Sequence, residues 1–360
     1  MKIIEVNDYS HFLCLKEKWD EVLRKCDHSV FSTWEWLSEY WKQFGTNKEL
    51  LVLLEQEDDK IVGIAPLTYN VCTMFGLRRG KIEFLGSPYS DYNDFVLTNE
   101  EKCLPAFFHY LNHISKKWDC IDLIDIPAYS KSIPFLKKFS KTLRPAKKCP
   151  YLLLPKSHEI FINSLDHKLR KDLHRNSKRL KTDFKMEFVD YSGTLSCVEG
   201  MKIFFRLHQK RWMVKGSPGA FADPKFRDFH LEIAKTFSEK GWLGLLILRL
   251  SGKPVAASYG FKYRRKYYYY LSGFDPDYSA YSVGNELISS VIAKCISEGF
   301  EEFDFLRGAQ KYKDRWNTMT RWNRHAILIR DSPITKVENW LYDQYWLQGS
   351  RLKYLLRMKQ

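Results

Sequence analysis

Leu243-Gly244-Leu245-Leu246-Ile247-Leu248-Arg249-Leu250 is an apolar run of strand length, and Ser251-Gly252-Lys253-Pro254 supplies the residues that reverse a chain. Residues 255–261 follow as its partner, 262–266 form a short basic link, and 267–273 have the aromatic content of a third strand. This order predicts an antiparallel meander. Residues 274–281, with Asp275-Pro276-Asp277, then lead to Ser282-Val283-Gly284-Asn285, which opens an amphipathic helix. Its apolar stripe is Leu287, Ile288, Val291, Ile292 and Cys295, and Gly299 stands past its end. Residues 303–306 read as a fourth strand. A helix joining two strands of one sheet implies a crossover and a parallel pair.

A first turn of small residues directly after a strand leaves unpaired N–H groups aimed outward, at the end that carries the positive pole of the helix dipole. Ser282, Val283, Gly284 and Asn285 therefore read either as a phosphate-binding start or as a capped, closely packed one. Several motifs here resemble the GNAT acyltransferase superfamily, and within it the acetyltransferases linked to cellulose biosynthesis (the CelD/BcsL type). They are Lys253-Pro254-Val255-Ala256-Ala257, Tyr270-Leu271-Ser272-Gly273-Phe274, Tyr281-Ser282-Val283-Gly284-Asn285-Glu286-Leu287 and Asp304-Phe305-Leu306-Arg307-Gly308, completed by Tyr312-Lys313-Asp314-Arg315-Trp316. The same pattern is similar to the FemABX peptidyltransferases, which are built from two GNAT-like halves. The resemblance implies an acyl-CoA or aminoacyl-tRNA donor, an amine or hydroxyl acceptor, and no metal.

The length of 360 residues predicts two domains of ordinary size, and 44% hydrophobic with 16% aromatic residues excludes a disordered chain. Lys and Arg total 58 against 43 Asp and Glu, a formal charge of +15 that favours anionic partners without choosing among phosphates, RNA and lipid head groups. The eight cysteines show no Cys-x-x-Cys spacing, so neither a zinc site nor a disulfide framework is expected, and a reducing cytoplasm fits. The first residues lack the apolar core of a secretory signal, and no run approaches the length of a membrane span. A cytoplasmic protein is expected, with a peripheral place at the inner face of the membrane as a further reading.

Residues 31–45 carry helix signals at both ends, Ser32-Thr33 before an aromatic-rich run and Gly45 after it. Trp34, Leu37 and Trp41 share one side, which suits burial against a sheet. In the resembling family a similar segment borders the acceptor cleft, which makes Glu35 a candidate. Residues 50–56 and 61–71 form a hairpin. The loop Gly86-Ser87-Pro88-Tyr89-Ser90-Asp91-Tyr92-Asn93-Asp94 holds two carboxylates, Asp91 and Asp94, three positions apart. A helix over 101–117 and a strand over 121–126 follow. Hairpin, loop, helix and strand repeat the order of the later core, which predicts duplication of a mixed α/β unit. The first copy has Asn99-Glu100-Glu101 at its helix start, where acids satisfy the dipole and repel a phosphate, so only the second copy is expected to bind donor.

A helix over 129–143 and a short strand over 150–155 lead into the second half, with Pro145 and Pro150 marking the boundary. The expected fold class is α/β (α+β): two tandem GNAT-like domains, each a mixed, mostly antiparallel sheet flanked by helices. Residues 1–149 form the acceptor side with a degenerate donor site, 150–330 the donor-binding domain, and 331–360 an amphipathic helical tail. Between His167 and Lys181 seven Lys or Arg face one acid, Asp172, while Leu165, Leu169 and Leu173 line an apolar stripe. This is a basic amphipathic helix, read either as a solvated face or as a contact for donor or acceptor phosphates. Arg170 and Arg175 match positions basic in both resembling families. Within residues 204–212, His208 shares a face with Phe204 and Trp212, the pattern of a core histidine. The segment also resembles the family's His-x-x-Arg-Trp, which implies a role for His208, Arg211 and Trp212. Residues 216–223 are expected to form a loop at the cleft. The tail, with Arg351, Lys353, Arg357 and Lys359 among apolar residues, reads as an interfacial helix touching an anionic membrane or as packing on the first domain.

Acyl transfer needs a donor held beside the nucleophile, a base, and dipoles facing the developing oxyanion. Strands 267–273 and 302–306, if splayed, would hold the pantetheine arm and offer N–H groups near Leu271, Ser272 and Gly273. His208 and Asp304 are the candidate bases, Lys313 and Arg307 the charge stabilisers, and Tyr312 the acid for the leaving thiolate. Asp304 in a buried strand equally suits a structural pair with an arginine such as Arg307. The expected function is transfer of an acyl, in the first instance acetyl, group from acyl-CoA to a sugar, polysaccharide or cell-envelope precursor. The alternatives are a FemABX-like transfer from aminoacyl-tRNA and a non-catalytic membrane or RNA adaptor with a decayed core.

Overall fold

The computed structural model describes residues 2–74, 77–114 and 118–330. The tail expected at 331–360 lies outside the described residues. Strands β1 (Lys2–Val6), β2 (Glu49–Glu57), β3 (Lys60–Met74), β4 (Leu77–Phe84), β5 (Val96–Leu97), β6 (Cys120–Ile126) and β7 (Thr142–Leu153) belong to the first half. Strands β8 (Met186–Asp190), β9 (Leu243–Leu250), β10 (Lys253–Tyr263), β11 (Lys266–Phe274), β12 (Glu302–Asp304) and β13 (Met319–Ile329) follow. All join one mixed, mostly antiparallel sheet in the order β1-β2-β3-β4-β6-β13-β7-β12-β11-β10-β9-β8, with β5 beside β3.

The deciding stretch folds as its turns dictate. β9, β10 and β11 form the meander, Ser251 and Gly252 reverse the chain with φ of 47° and 82°, and β12 returns parallel to β11 after the helix Val283–Ser297. The first half repeats this plan: β2, β3 and β4 are antiparallel, the helix Glu100–His113 crosses, and β6 runs parallel to β4. Between the copies the strands exchange. β7, which follows β6 in sequence, pairs with β12, whereas β13, which follows β12, pairs with β6, and β7 and β13 pair with each other.

Several local expectations are corrected. The strand expected at 150–155 is Thr142–Leu153, so a cut at 149/150 falls within β7. The helix expected at 129–143 is only Ile133–Phe139, because 142 onward is drawn into the sheet by β13. β1, β4, β5, β8 and β13 were not anticipated.

Helices cover both faces. Trp34–Phe44, capped by the Thr33 side chain and closed at Gly45, packs with Cys197–Met213 and Pro224–Glu239 in one aromatic core around Trp36, Phe204, Phe229 and Phe261. The basic helix His167–Asp183 and Val283–Ser297 bury Leu169, Leu173, Leu180, Leu287 and Ile292 on the other face. A third core lies under Glu100–His113. No helix among the described residues is long and apolar enough to cross a membrane.

Candidate active site

β11 and β12 pair only through Lys266, Tyr267 and Tyr268 against Glu302, Phe303 and Asp304, and then they part. Two deviations open the gap. β11 carries a register shift opposite Tyr259 and Phe261, and Phe305 gives its N–H to Pro150 instead of β11. Beyond it Leu306 takes φ of 58°, a left-handed conformation that costs a bulky residue about 1–3 kcal/mol. Asp304 holds it there by accepting the Leu306 N–H at 2.8 Å.

A cleft of about 520 Å³ occupies the gap. It gathers nine of the residues expected from sequence: His208, Arg211, Trp212, Leu271, Ser272, Asp91, Arg307, Tyr312 and Lys313. Gly273 lies just behind, where a Cβ would stand 2.3 Å from the backbone nitrogen of His208; only glycine lets β11 touch that helix. The Ser272 carbonyl and hydroxyl accept from Arg211 at 3.3 and 3.4 Å. N–H and C=O of one strand residue point to the same edge, so the Ser272 N–H also faces the opening.

The first half contributes Tyr89 and Asp91 to the cleft. Arg307 reaches across to Asp91 (Nε to Oδ1, 2.8 Å) and Asp125 (2.5 Å), while its own N–H donates to Asp91 at 3.2 Å. Burial pushes the Asp91 carboxyl up to about 6, against the opposing charge of Arg307. Burial alone would lower Arg307, yet the two carboxylates raise it above its ordinary value. Lys313, 4% exposed, donates to the carbonyls of Phe305, Leu306 and Arg307 at 2.8, 3.3 and 3.2 Å, and burial lowers its pKa. Burial also raises the Tyr312 phenol, which keeps its proton at neutral pH.

His208 is 2% exposed, and its Nε2 accepts the indole N–H of Trp212 at 3.0 Å, so the ring proton sits on Nδ1, which has no partner. Burial drives its pKa down to about 4. The ring is neutral near pH 7, with its basic nitrogen already engaged.

Other expected residues stand apart from the cleft. Asp304 is fully buried and held by Tyr92 at 2.8 Å and by Arg321; its arginine is Arg321, not Arg307. Glu35 is buried between Lys16 (2.8 Å) and Lys240 (2.9 Å) and ties helices together. Asp94 faces a separate small recess, where Ser132 and the Phe95 N–H hold it. Arg170 lines another groove, and Arg175 pairs with Asp172 at 2.9 Å. The start at Ser282, Val283, Gly284 and Asn285 lies beyond the rim; Gly284 abuts the ring of Phe274, which carries the Arg211 guanidinium at 4.8 Å. No side chain caps that start, where Ser282 has φ of 53°. Sequence reading did not single out Tyr89, Tyr270, Asp125 or Arg321. The alternating polar pair Arg321 and Asn323 in β13 was the available signal, since both enter buried networks.

Residues 167–314 match the family model described as an acetyltransferase (GNAT) domain. A search of curated proteins found no match. Among solved structures the chain is similar to FemX, with a TM-score of 0.64 and 13% identity over 94% of this chain and 99% of that one. It is similar to the C-terminal domain of a putative lysylphosphatidylglycerol synthetase from Agrobacterium fabrum, with a TM-score of 0.55 and 10% identity over 92% and 96%. A tandem GNAT protein from the clavulanic acid biosynthesis pathway gives 0.50 and 8% over 92% and 99%. At these identities the likeness is one of fold. The molecule therefore has a GNAT/FemX-like fold, and the cleft is lined mostly by the segment that matches the acetyltransferase domain, with Tyr89 and Asp91 added from outside it.

Proposed function

We propose that the protein is an acyltransferase that moves an acyl group, acetyl in the simplest case, from acyl-CoA to an amine or hydroxyl of a sugar, polysaccharide or cell-envelope precursor. The parting of β11 and β12 beside Asp91, Arg307 and Tyr312 carries this reading. The thioester would lie in the gap with its carbonyl toward the Ser272 N–H, and the donor pyrophosphate would meet the start of Val283–Ser297. Asp91, whose pKa lies close to neutral, takes the proton from the attacking amine or hydroxyl as the new bond to the acyl carbon forms. The carbon–sulfur bond then breaks, and Tyr312 gives its proton to the thiolate. Arg307 and Lys313 fix the turn that faces the acceptor. His208 holds Trp212 at the mouth instead of acting as base. The resemblance to cellulose-biosynthesis acetyltransferases supports a saccharide acceptor.

Calorimetry with acetyl-CoA tests the donor. Gly284→Glu places a charge at the helix start without a backbone clash, since a Cβ there meets only the Phe274 ring at 3.7 Å. It should weaken acetyl-CoA binding roughly tenfold or more; unchanged affinity would place the donor elsewhere. A second reading, aminoacyl-tRNA as donor, is supported by the whole-chain fold likeness to FemX and by the basic helix. The synthetase neighbour, whose name makes its product lysylphosphatidylglycerol, extends that reading to a lipid acceptor. Binding of bulk tRNA but not acetyl-CoA at fixed salt would favour it.

A further inference from the structure

A second concavity, about 880 Å³, lies between the basic helix and Val283–Ser297 and shares no lining residue with the cleft. Arg170, His174, Ser177 and Lys181 recur at three- and four-residue steps, so they form one face of the helix, and all four line the groove, with His174 and Lys181 exposed at its rim. Its cations outnumber the one carboxylate that lines the groove, Glu286. Asp172, on the same helix, is turned away to Arg175 and Arg315, and neither Lys171 nor Lys181 has a carboxylate ion pair among the described residues. The one lining carboxylate, Glu286, has its pKa raised by burial, against Ser177 and Lys181. In the wall the Nε2 of His158 is buried without a partner. The floor is apolar: Met186 and Phe188, two residues apart on the end strand β8, are half-buried on its groove side.

A basic rim over an apolar floor, at a volume usual for small-molecule sites, suits a compact ligand with an anionic end. A polyanion track would instead spread cations over a convex surface, and Arg175, on the helix's other side, is already neutralised by Asp172. We propose that this groove is a second ligand site for a small phosphorylated molecule with an apolar or aromatic body, its phosphate held by Arg170 and Lys171 and its body resting on Met186 and Phe188. The site does not depend on the acyl-transfer reading.

The probes are a fluorescent methylanthraniloyl derivative of ADP, with inorganic phosphate as competitor. Saturable binding is expected, weakened roughly tenfold or more by Lys171→Glu, which reverses an exposed charge, and by Ala293→Trp, which fills the groove. Circular dichroism melting checks that each variant folds, and either one suffices if the other does not. Gly284→Glu should leave this binding within about twofold, and phosphate should displace the probe. Absence of saturable binding overturns the proposal. So does loss in Gly284→Glu with the groove variants intact, which would put the probe in the donor cleft. Displacement by tRNA with no effect of Ala293→Trp would mark an open polyanion surface and overturn it equally.

Discussion

Replacing Arg321 by leucine should destabilise the whole molecule. Arg321 stands on β13 with its guanidinium over the Tyr151 ring at 4.4 Å, donates to Glu302 at 2.7 Å and to Asp304, and reaches the Tyr92 hydroxyl at 3.3 Å. Leucine keeps apolar bulk against Tyr151 but leaves the fully buried Asp304 without its ion-pair partner, while Glu302 keeps Lys266 at 3.6 Å. Removing one partner of a buried pair costs about 3–5 kcal/mol, because the other charge stays desolvated. At about 1.4 kcal/mol per decade, the folded-to-unfolded ratio should fall by roughly two to three and a half powers of ten. Tyr92→Phe removes one hydrogen bond to the same carboxylate and should cost less, about 1.5–3 kcal/mol. Adding Asp304→Asn to Arg321→Leu should recover part of the loss, about 1 kcal/mol or more, since the amide carries no charge to desolvate and its oxygen still accepts the Leu306 N–H. Urea titration followed by tryptophan fluorescence and far-ultraviolet circular dichroism measures all four proteins. The two signals should coincide in one transition, because the exchanged strands β7 and β13 bind each half to the other. A loss below about 1 kcal/mol in Arg321→Leu would refute the reasoning.

Three further outcomes follow from the cleft. Asp91→Asn should lower turnover about a hundredfold or more with the fold retained; in the wild type the rate should rise with pH through about 6, as the carboxyl loses its proton, and the variant should lack that limb. Gly273→Ala should cost about 1–3 kcal/mol or more and most of the activity, as the new methyl meets the backbone of Cys197–Met213, and a melt near wild type would show that the strand yields. His208→Gln should reduce acid sensitivity: the folded ring titrates near 4 and the unfolded one near 6.5, so the native state binds fewer protons between these values and loses stability as pH falls through them. His230 and His28, also lowered by burial, keep part of that acid limb, so melting from pH 7 to 4 should show a shallower slope in the variant and not a flat line.

The meander and its crossover were legible because local chemistry specifies them: apolar runs, the Ser251-Gly252 reversal, and an amphipathic helix too long to be anything but a connection between parallel strands. β8 and β13 were not. Met186–Asp190 and Met319–Ile329 mix charged with apolar residues, and their strand character comes from neighbours distant in sequence. The same distinction runs through the site. Nine residues share the cleft, from β11, the turn after β12, the helices Cys197–Met213 and Lys311–Asp314 and the loop at 85–95, but their electrostatic partners are remote. Asp304 has Arg307 three positions away, yet the left-handed turn at Leu306 throws Arg307 outward, and the carboxylate finds Arg321 on the exchanged strand. His208 had Trp212 on its own face one helical turn on, and that indole N–H is what its basic nitrogen accepts.

The two networks divide the work along β12. Asp304 faces inward, where Arg321, Tyr92 and Glu302 fix its carboxylate, and that carboxylate fixes the strained turn through the Leu306 N–H. The next residue, Arg307, thereby points across the gap to Asp91 and Asp125 of the first half. A strained residue is worth keeping only where its neighbours over-determine it, and here the inner carboxylate and the three carbonyl bonds of Lys313 do so from opposite sides. The position of Asp91 at the cleft is thus set by the second half's turn, and the turn by an arginine on the strand that crosses back to the first. Such an arrangement ties the gap between β11 and β12 to the loop at 85–95 through residues of both halves, at the place where the exchanged strands bring the halves together.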